Sequence, residues 1–208
     1  MSRFIESIKV EDQQIFLAEL HQKRMNETFS HFGKDCKIVI QSLFLNLEHD
    51  EYGLYKFRIE YDLENNFKTQ IVPYAISEHN DFELVINNEI DYSFKSVDRK
   101  QFQKLKNDSD ADEIIIVKEN QITDTSYSNL LFLKDKTWFT PKTYLLNGVM
   151  RQSLLASKKI KETEITIDNI KEFSHFQLIN ALNDFDEMFI YPIEKIINLP
   201  REESDLEF

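Results

Sequence analysis

Three residues, in a fixed order along the chain, are of the types that could do chemistry together. Lys95 follows Tyr92 and Phe94, with Arg99 four positions on. Asp124 lies near the end of the alternating run Ile122-Thr123-Asp124-Thr125, ahead of the hydroxyl-rich Ser126-Tyr127-Ser128-Asn129. Gly148, one of three glycines, stands just before the helical run Val149-Met150-Arg151-Gln152-Ser153-Leu154-Leu155-Ala156. A desolvated lysine has a lowered pKa and attacks carbonyl carbons. A buried acid can keep a pyridine nitrogen protonated, and a helix N-terminus offers free N–H groups to phosphate. The three together could hold pyridoxal 5'-phosphate.

Each residue also has a plainer reading. Lys95 could be a lysine at a strand end that reaches solvent. Asp124 and the hydroxyls after it could form a turn whose side chains bond their own backbone. Gly148 could be a routine N-cap, although a glycine there also lets a phosphate approach the N–H groups of Val149 and Met150.

The elements that must position these residues follow from periodicity. Phe4 to Val10 alternates apolar and polar residues as a strand does, with Gln14 to Phe16 returning beside it. Leu17 to Phe32 reads as a helix, with Leu17, Leu20, Arg24, Met25 and Phe29 near one side, and Lys37 to Leu47 is open between helix and strand. Leu54 to Tyr61, Lys68 to Ala75 and Phe82 to Ile86 read as strands joined by polar turns, giving an N-terminal half rich in antiparallel sheet. Tyr92 to Lys95 is expected to be extended and Arg99 to Lys106 helical. Hairpins are expected from Glu113–Val117 with Gln121–Thr125, and from Leu130–Leu133 with Thr137–Thr140. Glu162–Ile167, Phe176–Leu182 and Met188–Ile190 would complete the sheet, Asp168 would cap a short helix, and Arg201–Phe208 would fray. A boundary near Ile90 divides the chain into a small N-terminal α+β part, 1–90, and a larger part, 91–208.

Composition excludes several functions. A formal net charge of −12 over 208 residues argues against a nucleic-acid surface and against an anionic membrane as a standing partner. It leaves room for a local basic pocket built from a few arginines and lysines. The single cysteine, Cys36, permits no internal disulfide and no zinc cluster, so no metal site is expected. No run is long and apolar enough for a signal peptide or a bilayer span, and the expected location is the cytoplasm.

Taken together, the motifs resemble the fold-type IV pyridoxal-phosphate enzymes, the class IV aminotransferase family. The resemblance rests on Lys95-x-x-x-Arg99, on Thr123-Asp124 through Asn129, on Thr140-Pro141, and on Gly148-Val149-Met150-Arg151. Phe4-Ile5-Glu6, His21-x-x-Arg24, Ala111-Asp112-Glu113 and Ile179-Asn180-Ala181-Leu182 extend it over most of the chain. It implies an α+β fold in two parts with the cofactor in the cleft between them, and a homodimer. It implies that Lys95 binds the cofactor covalently and moves the substrate proton, and that Asp124 faces the ring nitrogen. Asn129 would orient Asp124 or its neighbours. Arg24, the N–H groups of Val149 and Met150, and the Asn180-Ala181 turn would hold the phosphate, with Arg99 near the cofactor in no assigned role.

Two activities follow from the resemblance. One is a lyase that expels pyruvate from aminodeoxychorismate and leaves 4-aminobenzoate, favoured by Lys95-x-x-x-Arg99 and by Asn180-Ala181-Leu182. The other is an aminotransferase acting on a branched-chain or D-amino acid with a 2-oxo acid acceptor. A binding protein that kept the fold and lost the activity is a third reading. The chain has aspartate at position 124 where the family more often has glutamate, and has Asp12-Gln13 at its first turn in place of glycines.

Overall fold

A computed structural model describes residues 3–50, 52–185 and 189–200. The first part is a four-stranded antiparallel sheet of β1 (Arg3–Glu11), β2 (Gln14–Ile15), β3 (Leu54–Asp62) and β4 (Phe67–Pro73), in the order β2-β1-β3-β4. Its strands alternate, and the two faces have different jobs. Phe4, Ile8 and Val10 of β1 and Phe57, Ile59 and Tyr61 of β3 pack against helix α1 (Ala18–His31), which contributes Met25 and Phe29. α1 buries His21, Met25, Thr28 and Phe29, the one-sided spacing of an amphipathic helix. The other face carries Ile5, Ser7, Lys56 and Arg58 toward a cavity. The ambiguous stretch after α1 resolves into one short helix, α2 (Ile40–Phe44).

The second sheet runs β10-β9-β8-β7-β6-β5, with β11 also paired to β8 and β12 to β11. Its strands are β5 (Phe82–Ile86), β6 (Glu113–Lys118), β7 (Gln121–Thr125), β8 (Asn129–Lys134), β9 (Thr137–Pro141), β10 (Lys161–Thr163), β11 (His175–Ile179) and β12 (Ile190–Pro192). Ile114 to Val117 are buried on both faces of this sheet, which is why β6 reads as a continuous apolar run. Ile115 and Val117 meet Phe82, Phe132 and Phe176 on one side. Ile114 and Ile116 meet Tyr92 and Phe102 on the other, where helix α3 (Lys100–Asn107) packs. Helix α4 (Val149–Ala156) lays Met150 and Leu154 on Leu131 and Ile179. No helix among the described residues is long and apolar enough to cross a membrane.

Several expectations need correction. β5 pairs in parallel with β6 and so belongs to the second sheet; the sheets divide between Pro73 and Phe82, ahead of Ile90. Tyr92 to Lys95 is not a strand; the segment makes a single bridge, Ser96 to Phe4. Of Glu162–Ile167 only Glu162 and Thr163 lie in a strand, β10, which starts at Lys161 and runs parallel to β9, while Thr166 bridges Gln121. β11 stops at Ile179 because Asn180 starts a turn in which its side-chain Oδ1 accepts the N–H groups of Leu182 and Asn183. Asp168 caps no helix and instead accepts from Asn120 Nδ2, while Asn169 precedes the 3-10 turn Ile170–Glu172. Met188 and Arg201–Phe208 lie outside the described residues.

Three two-residue hairpin turns place non-glycine residues in the left-handed region: Asp12-Gln13, Glu119-Asn120 and Asp135-Lys136. Such turns match the twist of the strands but strain a residue with a Cβ. Lys136, at φ 61°, is exposed, and its side chain makes no hydrogen bond or ion pair among the described residues. Lys136→Gly should therefore raise the stability of the chain by about 1 kcal/mol. Urea denaturation checks this; an unchanged or lowered midpoint would show that the turn is not strained.

Candidate active site

A cavity of about 300 Å³ opens between the two sheets. Lys95 lies in its wall because its backbone is tied to β1. The Ile5 N–H donates to the Lys95 carbonyl at 2.9 Å, and the Val97 N–H donates to the Arg3 carbonyl at 3.0 Å. The Lys95 amine has no hydrogen bond or ion pair among the described residues. Burial, and then the Arg24 guanidinium, bring its pKa down to about 7, with Glu6 opposing. Burial without a paired acid is thus what prepares this lysine for attack on a carbonyl.

Arg24 reaches the cavity from α1 and is held from behind. Glu6, on the α1 face of β1, accepts from Arg24 Nε at 3.0 Å and from its Nη2. The same carboxylate lies 2.5 Å from His21 Nδ1, which must carry the proton in that bond. Burial alone would raise the Glu6 pKa, but Arg24 and His21 outweigh it and hold it at about 2. Burial keeps His21 below its ordinary value, so its ring is neutral at pH 7.

Asp124 is fixed by three donors. Its Oδ1 accepts from Asn129 Nδ2 at 2.7 Å, and its Oδ2 accepts the N–H groups of Leu145 and Leu146 at 3.0 and 2.9 Å. Asn129 stands directly opposite Asp124 in the β7–β8 ladder and also donates to the Leu146 carbonyl at 2.9 Å. Burial nevertheless raises the Asp124 pKa to about 6, because three donors do not replace water completely. A carboxylate has about four lone-pair positions, so one remains for a donor in the cavity.

Gly148 belongs to this cluster for a reason the sequence did not disclose. Its φ of −63° and ψ of 145° suit any residue. A Cβ there would come within 2.0 Å of Asn129 Oδ1. Glycine is therefore required by the close approach of the carboxamide that orients Asp124. It also leaves the mouth of α4 without a side-chain cap, and Val149, the first helical residue, lines the cavity. The N–H groups of Val149 and Met150 have no carbonyl one turn back to accept them. The Met150 side chain points instead into the core with Leu131 and Leu154.

The Asn180-Ala181 turn also borders the cavity, with Asn180 Nδ2 donating to Ser128 Oγ at 2.8 Å. Its side chain is spent on shaping the turn, so the polar group it leaves for a ligand is backbone. Arg99 donates to the Tyr92 hydroxyl at 3.2 Å and to the Ser126 carbonyl, and its guanidinium lies 4.2 Å from the Phe102 ring centre. It braces the turn that follows Asp124. Arg151 is buried away from the cavity, bonding Pro141, Asn147 and Glu162. Sequence reasoning missed Lys56, Arg58, Tyr74 and Tyr127, all of which line the cavity. The alternation of β3 could have shown that Lys56 and Arg58 share a face; which face meets the cavity depends on where α1 packs.

These residues fit pyridoxal phosphate: an unpaired amine of depressed pKa, a buried carboxylate with one free position, and an uncapped helix mouth that lines the same cavity as Arg24. The fit includes a cradle that a Cβ at position 148 would fill.

Comparison with known proteins supports the same class. The model for the family Amino-transferase class IV matches residues 92–196, just over half of the chain. The chain belongs to the class IV aminotransferase family and has the α+β fold of type IV pyridoxal-phosphate enzymes. The crystal structure of a "putative 4-amino-4-deoxychorismate lyase" from Haemophilus somnus 129PT is 30% identical, with a TM-score of 0.82 over 89% of this chain and 98% of that one. An uncharacterized protein of Haemophilus influenzae is 33% identical over 88% of this chain and 99% of its own length. A hypothetical aminotransferase of Mycobacterium tuberculosis in its PLP-bound form shares the fold, at 11% identity and a TM-score of 0.70 over 98% of this chain and 84% of that one.

Three outcomes follow from the geometry. Without cofactor, Lys95 should react with trinitrobenzenesulfonate with a pH midpoint near 7, far below that of an ordinary lysine; a midpoint near 10.5 would contradict the charge environment described. Between those values an unfolded chain still holds the proton that folded Lys95 has released, so apoprotein stability should rise with pH there, and Lys95→Met should flatten the rise. Gly148→Ala should displace Asn129 and weaken cofactor binding about tenfold or more, on the scale of one charge-assisted hydrogen bond. Equilibrium titration with pyridoxal phosphate measures this, and unchanged affinity would show that the cradle can yield.

Proposed function

We propose that this chain is a pyridoxal-phosphate-dependent lyase that converts aminodeoxychorismate to pyruvate and 4-aminobenzoate. The observation that carries the reading is the unpaired Lys95 amine in one cavity with the fixed carboxylate of Asp124. The likeness to a chain described as such a lyase, together with Lys95-x-x-x-Arg99, supports this chemistry over transamination. Bound in the cavity, the cofactor would supply an electron-accepting ring joined to the amine-bearing carbon of the substrate.

The chain's own residues then have distinct tasks. Asp124 holds a proton on the ring nitrogen, and Asn129 and the Leu145 and Leu146 N–H groups keep its carboxylate aimed. Lys95 Nζ takes the proton from the amine-bearing carbon of the substrate, a step suited to an amine that titrates near neutral pH. Loss of that proton, with cleavage of the bond between the ring and the enolpyruvyl oxygen, makes the ring aromatic; the enolpyruvate released takes up a proton at its methylene carbon and becomes pyruvate. Arg24, the mouth of α4 and the Asn180-Ala181 turn hold the phosphate.

The test is turnover without an amino-group acceptor. Given aminodeoxychorismate and no 2-oxo acid, the cofactor-loaded enzyme should release pyruvate and 4-aminobenzoate in equal amounts over many turnovers. Asp124→Ala should lower kcat at least 100-fold while cofactor is still bound, since one charge-assisted bond contributes about 1.5–3 kcal/mol to binding. Repeated turnover only with 2-oxoglutarate or pyruvate present, and no 4-aminobenzoate, would make the protein an aminotransferase instead.

A further inference from the structure

We infer that Arg99 is a positioning residue that fixes the separation between Lys95 and Asp124, by clamping the segment that carries the one to the turn that follows the other. The inference rests on the cofactor reading and not on the choice between lyase and aminotransferase.

The two reacting groups are tied to different sheets. Lys95 is held through its backbone on β1, and Asp124 stands on β7. The register of neither sheet sets the distance between them. A cofactor engaged by both needs that distance held to within about 0.5 Å. Arg99, the residue just before α3, reaches both segments. Its Nη1 donates to the Tyr92 hydroxyl at 3.2 Å, and that hydroxyl donates at 2.8 Å to the carbonyl of Ser96, next in the chain to Lys95. Its Nη2 donates to the carbonyl of Ser126, two residues after Asp124. The Ser126 N–H is held in turn by Oε1 of buried Glu113 at 3.0 Å.

A lysine at 99 could not make this link. The two bonds leave from two nitrogens of one rigid plane, whose central carbon lies 5.0 Å from the Tyr92 ring centre and 4.2 Å from that of Phe102. An ammonium is a single point on a flexible stem. Both acceptors are neutral, so the guanidinium keeps its positive charge in the cavity wall. At the Lys95 amine, Arg24 and Glu6 act in opposite directions, and so do Arg99 and Asp124. His21 is neutral at pH 7, and Lys56 and Arg58 line the same cavity from β3. Arg99 therefore also offsets the pull by which Asp124 would keep the lysine protonated.

The test compares two ligands in equilibrium titrations of the full chain. One is pyridoxal 5'-phosphate; the other is its carbon analogue with CH in place of the ring nitrogen, which offers Asp124 nothing to hold. Tyr92→Phe removes the hydroxyl that joins Arg99 to the Lys95 segment and leaves the ring packed on Phe102. It should weaken pyridoxal phosphate about tenfold or more and the analogue less than about twofold. Arg99→Lys should do the same, and the double variant should lose no more than either alone, because each breaks one link of a single clamp. The midpoint for reaction of Lys95 with trinitrobenzenesulfonate should stay near 7 in Tyr92→Phe. In Arg99→Gln, where the charge is gone, it should rise by about half a pH unit or more. Equal weakening of both ligands would make Arg99 a residue of the fold alone. Unchanged affinity in Tyr92→Phe and Arg99→Lys, or losses that add in the double variant, would overturn the clamp, and an unmoved midpoint in Arg99→Gln would contradict its electrostatic part. Tyr92→Phe decides the matter if the Arg99 variants do not fold. A wild type that takes up no pyridoxal phosphate would overturn the cofactor reading and the clamp with it.

Discussion

The site is organised around a carboxylate that has been taken out of water. Burying Asp124 without partners would cost several kcal/mol, so the surrounding chain is constrained to bring donors to it. Asn129 comes from the next strand, and Leu145 and Leu146 come from the segment before α4. That second segment can reach Asp124 because Arg151 ties α4 back to Asn147 and Pro141. Glycine at 148 follows from the position of the Asn129 carboxamide. One buried charge thus determines the β7–β8 register, the path of the 145–148 segment and the place of the helix mouth.

Lys95 poses the opposite problem: it must stay unpaired. The fold accomplishes this by holding its backbone on β1 of the small sheet while Asp124 stands on the large one. Arg24 adds positive potential that favours the neutral amine, and Glu6 limits that potential so that the amine is not driven lower still. Environment thereby moves a lysine down to about 7 and an aspartate up to about 6. This is the condition under which an amine can take up a proton at neutral pH while a carboxylate stays ionised and accepts a hydrogen bond from a protonated ring nitrogen.

Much of this was legible in the sequence, and the gaps have physical causes. Alternation located β1, β3 and β7, a continuous apolar run located β6, and the turn residues located the hairpins between β6 and β7 and between β8 and β9. Parallel pairing of β5 with β6 was hidden because strand direction depends on a crossover and not on local pattern. Lys95 looked like a strand residue because aromatic neighbours resemble a strand, yet Tyr92 and Phe94 pack into two different clusters. Gly148 was singled out for an approach to phosphate, while the contact that excludes a side chain is with Asn129, nineteen positions earlier. Lys56 and Arg58 were not singled out, because only the packing of α1 shows which face of β3 meets the cavity.

The central claim is that Lys95 is the covalent anchor of pyridoxal phosphate in this cavity. The most direct measurement is to load the purified protein with the cofactor, reduce it with borohydride and map the pyridoxyl group by peptide mass spectrometry. The account predicts one modified peptide, the one that contains Lys95, and no stoichiometric modification in Lys95→Ala. A pyridoxyl group on any other lysine, or no uptake of cofactor by the folded protein, would contradict it.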